Sequence, residues 1–225
     1  LKYIDSALPL RYERLNQERR ARLSQSGELN QPPLIEAIPR YPSSGYTLTE
    51  AAAAIGYPEL SALASPLVPE PLTLYQHQWQ ALQQVLAERK DLVVTTGTGS
   101  GKTESFLLPL LAELAKESRH WAAPEAVVSA PPWWQSNRPQ WQPQFDSIQR
   151  PQAVRALILY PLNALVEDQL RRLRLTLNAP EVHQWLDTHR HGNRITFGRY
   201  NGQTPVPGSF DDKGAQKRLA AWMRD

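Results

Sequence analysis

Cysteine is absent from all 225 residues. That excludes disulfides, thiolate zinc sites, iron–sulfur clusters and a cysteine nucleophile within this stretch. No run of about 18 or more apolar residues occurs, so no membrane-spanning helix and no membrane partner are expected. No basic, then apolar, then small-residue pattern opens the chain as a secretory leader would. These absences fit a cytoplasmic location. Methionine occurs once, at Met223, and a chain opening Leu1-Lys2-Tyr3 is expected to be a piece of something longer. Internal repeats are missing too. The formal charge of +3 permits a nucleic-acid partner without demanding one. Hydrophobic residues at 41% and charged residues at 21% are ordinary for a globular chain with one core.

What is there centres on Val93-Val94-Thr95-Thr96-Gly97-Thr98-Gly99-Ser100-Gly101-Lys102-Thr103. A β-branched run enters a glycine-rich turn and leaves through Lys-Thr into an apolar helical pattern. Gly97, Gly99 and Gly101 let the backbone turn tightly and point successive N–H groups inward. The helix starting near Lys102 adds the positive end of its dipole. In that chemistry Lys102 reaches the β- and γ-phosphates of a nucleotide, and the Thr103 hydroxyl holds Mg²⁺. Lys102 and Thr103 are therefore the candidate catalytic residues. Thr96, Gly97, Thr98, Gly99, Ser100, Gly101, Lys102 and Thr103 together form the candidate phosphate cradle. The alternative, a glycine-rich surface turn, leaves the strand–turn–helix context unexplained. One departure stands out: the general pattern G-x-x-x-x-G-K-[ST] places Gly where this chain has Thr96.

The remaining chain reads in order. Residues 1–28 are helical and strongly charged, and the cluster Arg19-Arg20-Ala21-Arg22 reads as a solvated face before a nucleic-acid contact. Prolines crowd residues 31–70, around a short capped helix at Thr47-Leu48-Thr49-Glu50. Residues 1–70 are expected to be a helical, Pro-rich N-terminal extension, and 71–225 the main domain. Thr73 is a plausible cap for a helix whose apolar positions are Trp79, Leu82, Val85 and Leu86. Residues 102–118 read as a helix with the stripe Phe106, Leu107, Leu110, Leu111 and Leu114, kinked or bounded at Pro109. The stretch 119–152 is an insertion rich in Pro, Gln and Trp; its tryptophans either stack on unpaired bases or cover a neighbouring lobe. Strands are expected at 92–95, 153–160 and 194–200, and further helices from 163, over 181–190 and over 216–224. Alternation of strand and helix predicts an α/β fold with a parallel sheet. His189-Arg190-His191 reads as a solvent loop, because no carboxylate stands at ligand spacing.

Three stretches now stand in an order that resembles the first RecA-like domain of superfamily 2 DEAD/DEAH-box helicases. Thr96–Thr103 matches that family's first motif, where the Thr96 variant is the usual form. The nearest resemblance is to the branch of large bacterial helicases that carry a C-terminal module of unknown function, of repair or phage-defence type. Leu74-Tyr75-Gln76-His77-Gln78 is similar to the adenine-reading Q motif, with Gln78 upstream of Lys102 at the separation such helicases use. The resemblance implies that the Gln78 amide, one donor and one acceptor in a plane, selects ATP, and that Tyr75 stacks on the base. Tyr160-Pro161-Leu162-Asn163-Ala164-Leu165 resembles the turn that holds the phosphates of a single strand. Leu162-Asn163 replaces a Thr-Arg pair there, and Arg171, Arg172 or Arg174 is the candidate substitute for the lost charge. Tyr200-Asn201-Gly202-Gln203-Thr204 is similar to a second turn on the same strand. The implied nucleic-acid contacts are Pro161, Leu162, Asn163, Gly202, Gln203 and Thr204.

The fold implied is an incomplete P-loop NTPase sheet of the RecA-like kind. The cofactors implied are ATP and Mg²⁺; the partners are a nucleic acid, DNA in preference to RNA, and a second RecA-like domain. No Asp-Glu pair occurs in the sequence, whereas the family uses one to bind Mg²⁺ and position the attacking water. The expectation is an ATP-dependent helicase whose present stretch binds nucleotide but does not hydrolyse it. Two rivals are a double-strand translocase subunit of a restriction or phage-defence system and a non-motor P-loop binding module.

Overall fold

In the computed structural model of the chain, the structure describes residues 1–29, 31, 35, 40–97, 99–123, 132–136, 140–142, 153–207, 209 and 211–224. They divide into two units, Leu1–Arg40 and Tyr41–Asp225. The first holds two short helices, α1 (Lys2–Ala7) and α2 (Glu13–Leu23), neither with a buried residue. Asp5 ties them by accepting from Arg19 at 2.8 Å and Arg20 at 3.0 Å. Two members of the arginine cluster are thus spent within the unit.

The second unit begins at Tyr41, so the expected boundary at 70/71 falls inside it. Strand β1 (Ser43–Thr47) pairs antiparallel with β2 (Thr73–Tyr75), Ser43 opposite Tyr75 and Thr47 opposite Thr73. Thr73 is therefore a strand residue and not a helix cap. Thr47 then starts α3 (Leu48–Ala54) through a reciprocal capping box: the Glu50 N–H donates to Thr47 Oγ1, and the Thr47 N–H donates to the Glu50 carboxylate. Helices α4 (Glu59–Ala64) and α5 (Gln76–Leu82) follow, α5 running on as a wider π turn over Gln83–Ala87. Their apolar faces close on α6 (Lys102–Glu117), with Leu48, Leu60, Leu74, Leu82, Leu108 and Leu111 at the centre of the core. Each leucine taken fully from water there contributes about 1.5–3 kcal/mol.

Two expectations about α6 need correction. Pro109 neither ends nor bounds it; the helix passes through the buried proline for two more turns. The fully buried apolar residues of α6 include Leu107, Leu108, Leu111, Ala112 and Ala115, so Leu107 and Leu111 of the expected stripe are buried while Phe106, Leu110 and Leu114 are only half-buried.

The expected parallel sheet is not confirmed among the described residues. Among the described residues the only sheet is the β1–β2 pair. Residues 92–95, 153–160 and 194–200 take no regular secondary structure, and Val93 at 86% and Val154 at 84% are exposed where a central strand would bury them. The physical reason is cooperative. A parallel strand gains little from one neighbour and becomes stable when several strands bury both faces together. Helices α7 (Asn163–Leu177), α8 (Pro180–His189) and α9 (Lys213–Arg224) form where the apolar spacing predicts them. Of the Trp-rich insertion, residues 124–131, 137–139 and 143–152 lie outside the described residues, as do Pro32, Pro33 and Pro39. In the described part, Trp133–Gln135 make a single 3₁₀ turn packed on α9, whose Arg224 donates to the Trp134 and Ser136 carbonyls.

Polar links fasten the helix ends of this unit. Glu59, in the first turn of α4, accepts two bonds from Arg119 at 2.6 and 2.5 Å and faces Arg190 at 3.6 Å. The Arg119 hydrogen bonds hold the Glu59 carboxyl below its ordinary pKa, against an upward push from partial burial. A depressed folded value means that the stabilisation is present above the unfolded carboxylate range and is lost as pH falls through the folded value. Glu59→Gln should therefore lower stability at pH 7 by about 1 kcal/mol, discounted for the exposed arginine, and the gap to wild type should close toward pH 3. Thermal melts across that range test it; a gap that stays constant with pH contradicts it.

Candidate functional site

The glycine-rich loop lies where β-branched residues hand over to α6. Gly101 is the N-cap of that helix and takes a left-handed backbone, φ +74°, after Gly99 at φ +73°. Both are conformations that a side chain disfavours by about 1–2 kcal/mol. Across the loop, the Thr96 and Ser100 hydroxyls lie 2.6 Å apart, and Ser100 is 1% exposed. Lys102, at the first helical position, folds back so that its ammonium donates to the carbonyls of Thr96 at 2.8 Å and Gly97 at 2.6 Å. The structure thus gathers Thr96, Gly97, Gly99, Ser100, Gly101, Lys102 and Thr103 in one turn; Thr98 lies outside the described residues.

Gln78 joins that turn. Its side-chain carbonyl accepts from the Tyr75 N–H at 2.9 Å, and its amide donates to the Gly101 carbonyl at 3.1 Å. It is 5% exposed, so the amide predicted to read a base also bolts α5 to the loop. A methyl group at Gly101 would overlap the Gln78 amide nitrogen. Tyr75 stacks on His77, rings 5.7 Å apart at 16°, and Tyr41 meets both edge-on. A methyl at Gly97 would lie 2.7 Å from the Tyr41 hydroxyl, so this aromatic group adjoins the loop. Tyr41 was not a sequence candidate. Its only signal is β1–β2 pairing, which carries the chain back past β2 (the Pro42 carbonyl accepts from the Gln76 N–H).

On the other side, α7 approaches the start of α6. The Gln169 amide makes a long 3.4 Å contact to the Thr103 hydroxyl. Arg172 donates to Glu104 at 2.8 Å and to Asp168, four residues back on its own helix, at 3.2 Å. The second Glu104 oxygen and the Gln169 carbonyl oxygen are buried and have no hydrogen-bond partner among the described residues. Tyr160 sits beside this cluster: burial raises its hydroxyl pKa, while the Arg172 charge pulls it down.

Pro161 and Leu162 are exposed and lead into α7 at Asn163. No acidic residue stands in the first turn of α7, and its leading N–H groups have no acceptor within the helix. Asn163 accepts from the Asn201 side chain at 3.1 Å. Asn201 in turn shapes the second turn, accepting from the Gln203 N–H and, through its carbonyl, from the Thr204 N–H. Gly202 and Gln203 are exposed at its tip and Thr204 is half-buried. The two turns predicted to touch a strand are therefore neighbours.

Residues 75–197, from the Tyr75 turn into the 194–200 segment, match the DEAD/DEAH box helicase family. The chain belongs to that family. DEAD/DEAH box helicases have a RecA-like fold and generally use ATP with Mg²⁺, which accords with the loop at 96–103. The chain is also similar to Druantia protein DruE of Escherichia coli (strain UMEA 4076-1), 41% identical over 212 residues that make up 92% of this chain and 10% of that relative. It thus spans a small part of the relative's length. No solved structure matches it.

Within this DEAD/DEAH box helicase chain, Gly101 is the position with least freedom. Gly101→Ala should cost about 2 kcal/mol or more, from backbone strain plus displacement of Gln78. Gly99→Ala, with an equally positive φ and nothing within 4 Å of the added methyl, should cost less. Chemical denaturation of both variants checks the order, and an equal loss would refute the crowding at Gly101.

Proposed function

We propose that these 225 residues are the ATP-binding part of an ATP-dependent nucleic-acid helicase or translocase. The observation that carries the reading is Lys102, whose ammonium is held on the Thr96 and Gly97 carbonyls at the N-terminus of α6. A folded-back lysine places a positive charge on the inner side of the loop, at the N-terminus of α6, an arrangement that a polyphosphate suits. Two of its three donors are engaged, which leaves one.

The residues present fit Mg²⁺ and ATP. The two partnerless buried oxygens, on Glu104 and Gln169, flank Thr103, the proposed Mg²⁺ ligand. Hard oxygen donors of this kind suit Mg²⁺ and its retained waters. Gln78 has one N–H and one lone pair beyond its two protein bonds, the pair that the adenine edge requires. Tyr75, with Tyr41 and His77 behind it, supplies an aromatic face for the base. When bound, ATP supplies the phosphoanhydride whose cleavage drives movement. The sequence has no Asp-Glu pair, so these residues alone are proposed to bind and not to hydrolyse. A second RecA-like domain is the proposed partner across the nucleotide. The neighbouring turns at 161–163 and 202–204 are proposed to hold a strand's phosphates, in DNA before RNA, with the leading N–H groups of α7 as the main donors.

Lys102→Ala should weaken ATP binding by at least about 2–3 kcal/mol, roughly a hundredfold in Kd. Its melting temperature should fall by no more than about 5 °C, because the ammonium touches loop carbonyls and no core residue. Titration calorimetry and a thermal melt measure the two, and equal affinity in wild type and variant rules out the site. Gln78→Ala should erode the preference for ATP over GTP more than it weakens binding of inorganic triphosphate. Selectivity that survives the substitution would leave Gln78 with its structural role alone.

A further inference from the structure

Helix α7 meets the proposed nucleic-acid turns at one end and the phosphate loop along its side. On the first side, Asn163 bonds Asn201, and Glu167 pairs with Arg199, which leads into the second turn. On the other side, Arg172 bridges Asp168 of α7 to Glu104 of α6, and Gln169 touches Thr103. Arg172 is half-buried, whereas Glu104 is 12% exposed and keeps one oxygen without a partner. A half-satisfied buried carboxylate contributes little to stability and costs about 1–3 kcal/mol of lost solvation. Its position, directly after Thr103 and against Gly101, is where small displacements reach the phosphate and Mg²⁺ contacts. The guanidinium suits this bridge because its planar fork can hold two carboxylates at once, which an ammonium does less well.

We infer that Arg172 is a positioning residue. Through Glu104 it couples a nucleic-acid strand at the turns 161–163 and 201–204 to nucleotide affinity at 96–103. A strand that draws its phosphates onto the first turn of α7 loads that helix along its axis. The load passes through the Asp168–Arg172–Glu104 bridge to the first turn of α6, where Thr103 and Lys102 are set. Linkage makes the effect reciprocal: bound nucleotide tightens the strand by the same factor. The inference rests on the reading of the two sites proposed above.

The test measures a coupling factor on the chain. The affinity for the magnesium complex of a non-hydrolysable ATP analogue is determined with and without saturating oligothymidylate. Wild type should bind the analogue about fivefold or more tightly with the oligonucleotide, the usual lower range of site-to-site coupling. Arg172→Ala and the isosteric Glu104→Gln should each reduce that factor to below about twofold. Arg172→Ala should leave analogue affinity without the oligonucleotide within about threefold of wild type, a change of under 1 kcal/mol. Arg172→Lys should restore part of the coupling, and the double variant should lose no more than either single one. If Arg172→Ala fails to fold, Glu104→Gln carries the decision alone, since it keeps the shape and removes the charge. Coupling of wild-type size in Glu104→Gln overturns the inference, as does nucleotide binding by wild type that ignores the oligonucleotide. No binding of the analogue by wild type at all would instead sink the nucleotide site itself.

Discussion

The candidate site depends on one backbone constraint, the left-handed turn at Gly101. Its carbonyl receives the Gln78 amide, its missing side chain leaves room for that amide and for the Glu104 carboxylate, and its φ of +74° aims α6. Three separate stretches of sequence therefore converge on one atom-poor position. Because Gln78 also caps α5 at Tyr75, the same contact sets the aromatic group against the loop. The proposed nucleotide reader and a structural bolt are thus one side chain. The loop needs such bolts because its own glycines lower the barrier to leaving the turn, and backbone freedom is costly to freeze.

Local chemistry was legible in the sequence and non-local pairing was not. The capping box at Thr47 and Glu50, the loop through Lys102 and the helices from 163, 180 and 213 follow from side chains within a few positions of one another. The β1–β2 pair is different. Ser-Ser-Gly-Tyr-Thr carries no apolar alternation, and its partner lies across two intervening helices, so no local signal identifies it. Periodicity likewise marked α6 as a helix without revealing which flank the core takes, since leucines and alanines occupy both. The apolar runs at 92–95, 153–160 and 194–200 are strand-like as sequences. Whether such a run joins a sheet is decided by neighbours, and the exposed Val93 and Val154 show that composition alone does not bring them. At the candidate site, residue types were readable, but the second bond of Gln78 and the approach of Tyr41 depend on packing.

The division of labour between core and site has an energetic logic. Helices α3 to α6 share an apolar core that reaches Leu177 at the end of α7, and of the candidate contact residues described only Gln78 and Ser100 are buried. Lys102, Thr103, Asn163 and the turn at 201–204 are joined by polar contacts at the margin. Each such link is worth about 1 kcal/mol or less when exposed, well below the total from the buried leucines. Site contacts can therefore break and re-form while the core stays folded, which a cycle of binding and release requires.

The Glu104–Arg172 pair is the exception within that scheme, because it is placed where a purely stabilising contact gains least. A salt bridge built for stability satisfies all its lone pairs or stays in water; this one leaves an oxygen buried without a partner beside Thr103. Replacing the pair with apolar side chains would remove that cost, so its presence calls for another account. Position supplies one. Arg172 is the residue of α7 that reaches both a carboxylate of its own helix and one of the helix that bears Lys102 and Thr103. A cation held by two acids moves with whichever helix moves, and it transmits a displacement that an apolar contact, being non-directional, would let slide.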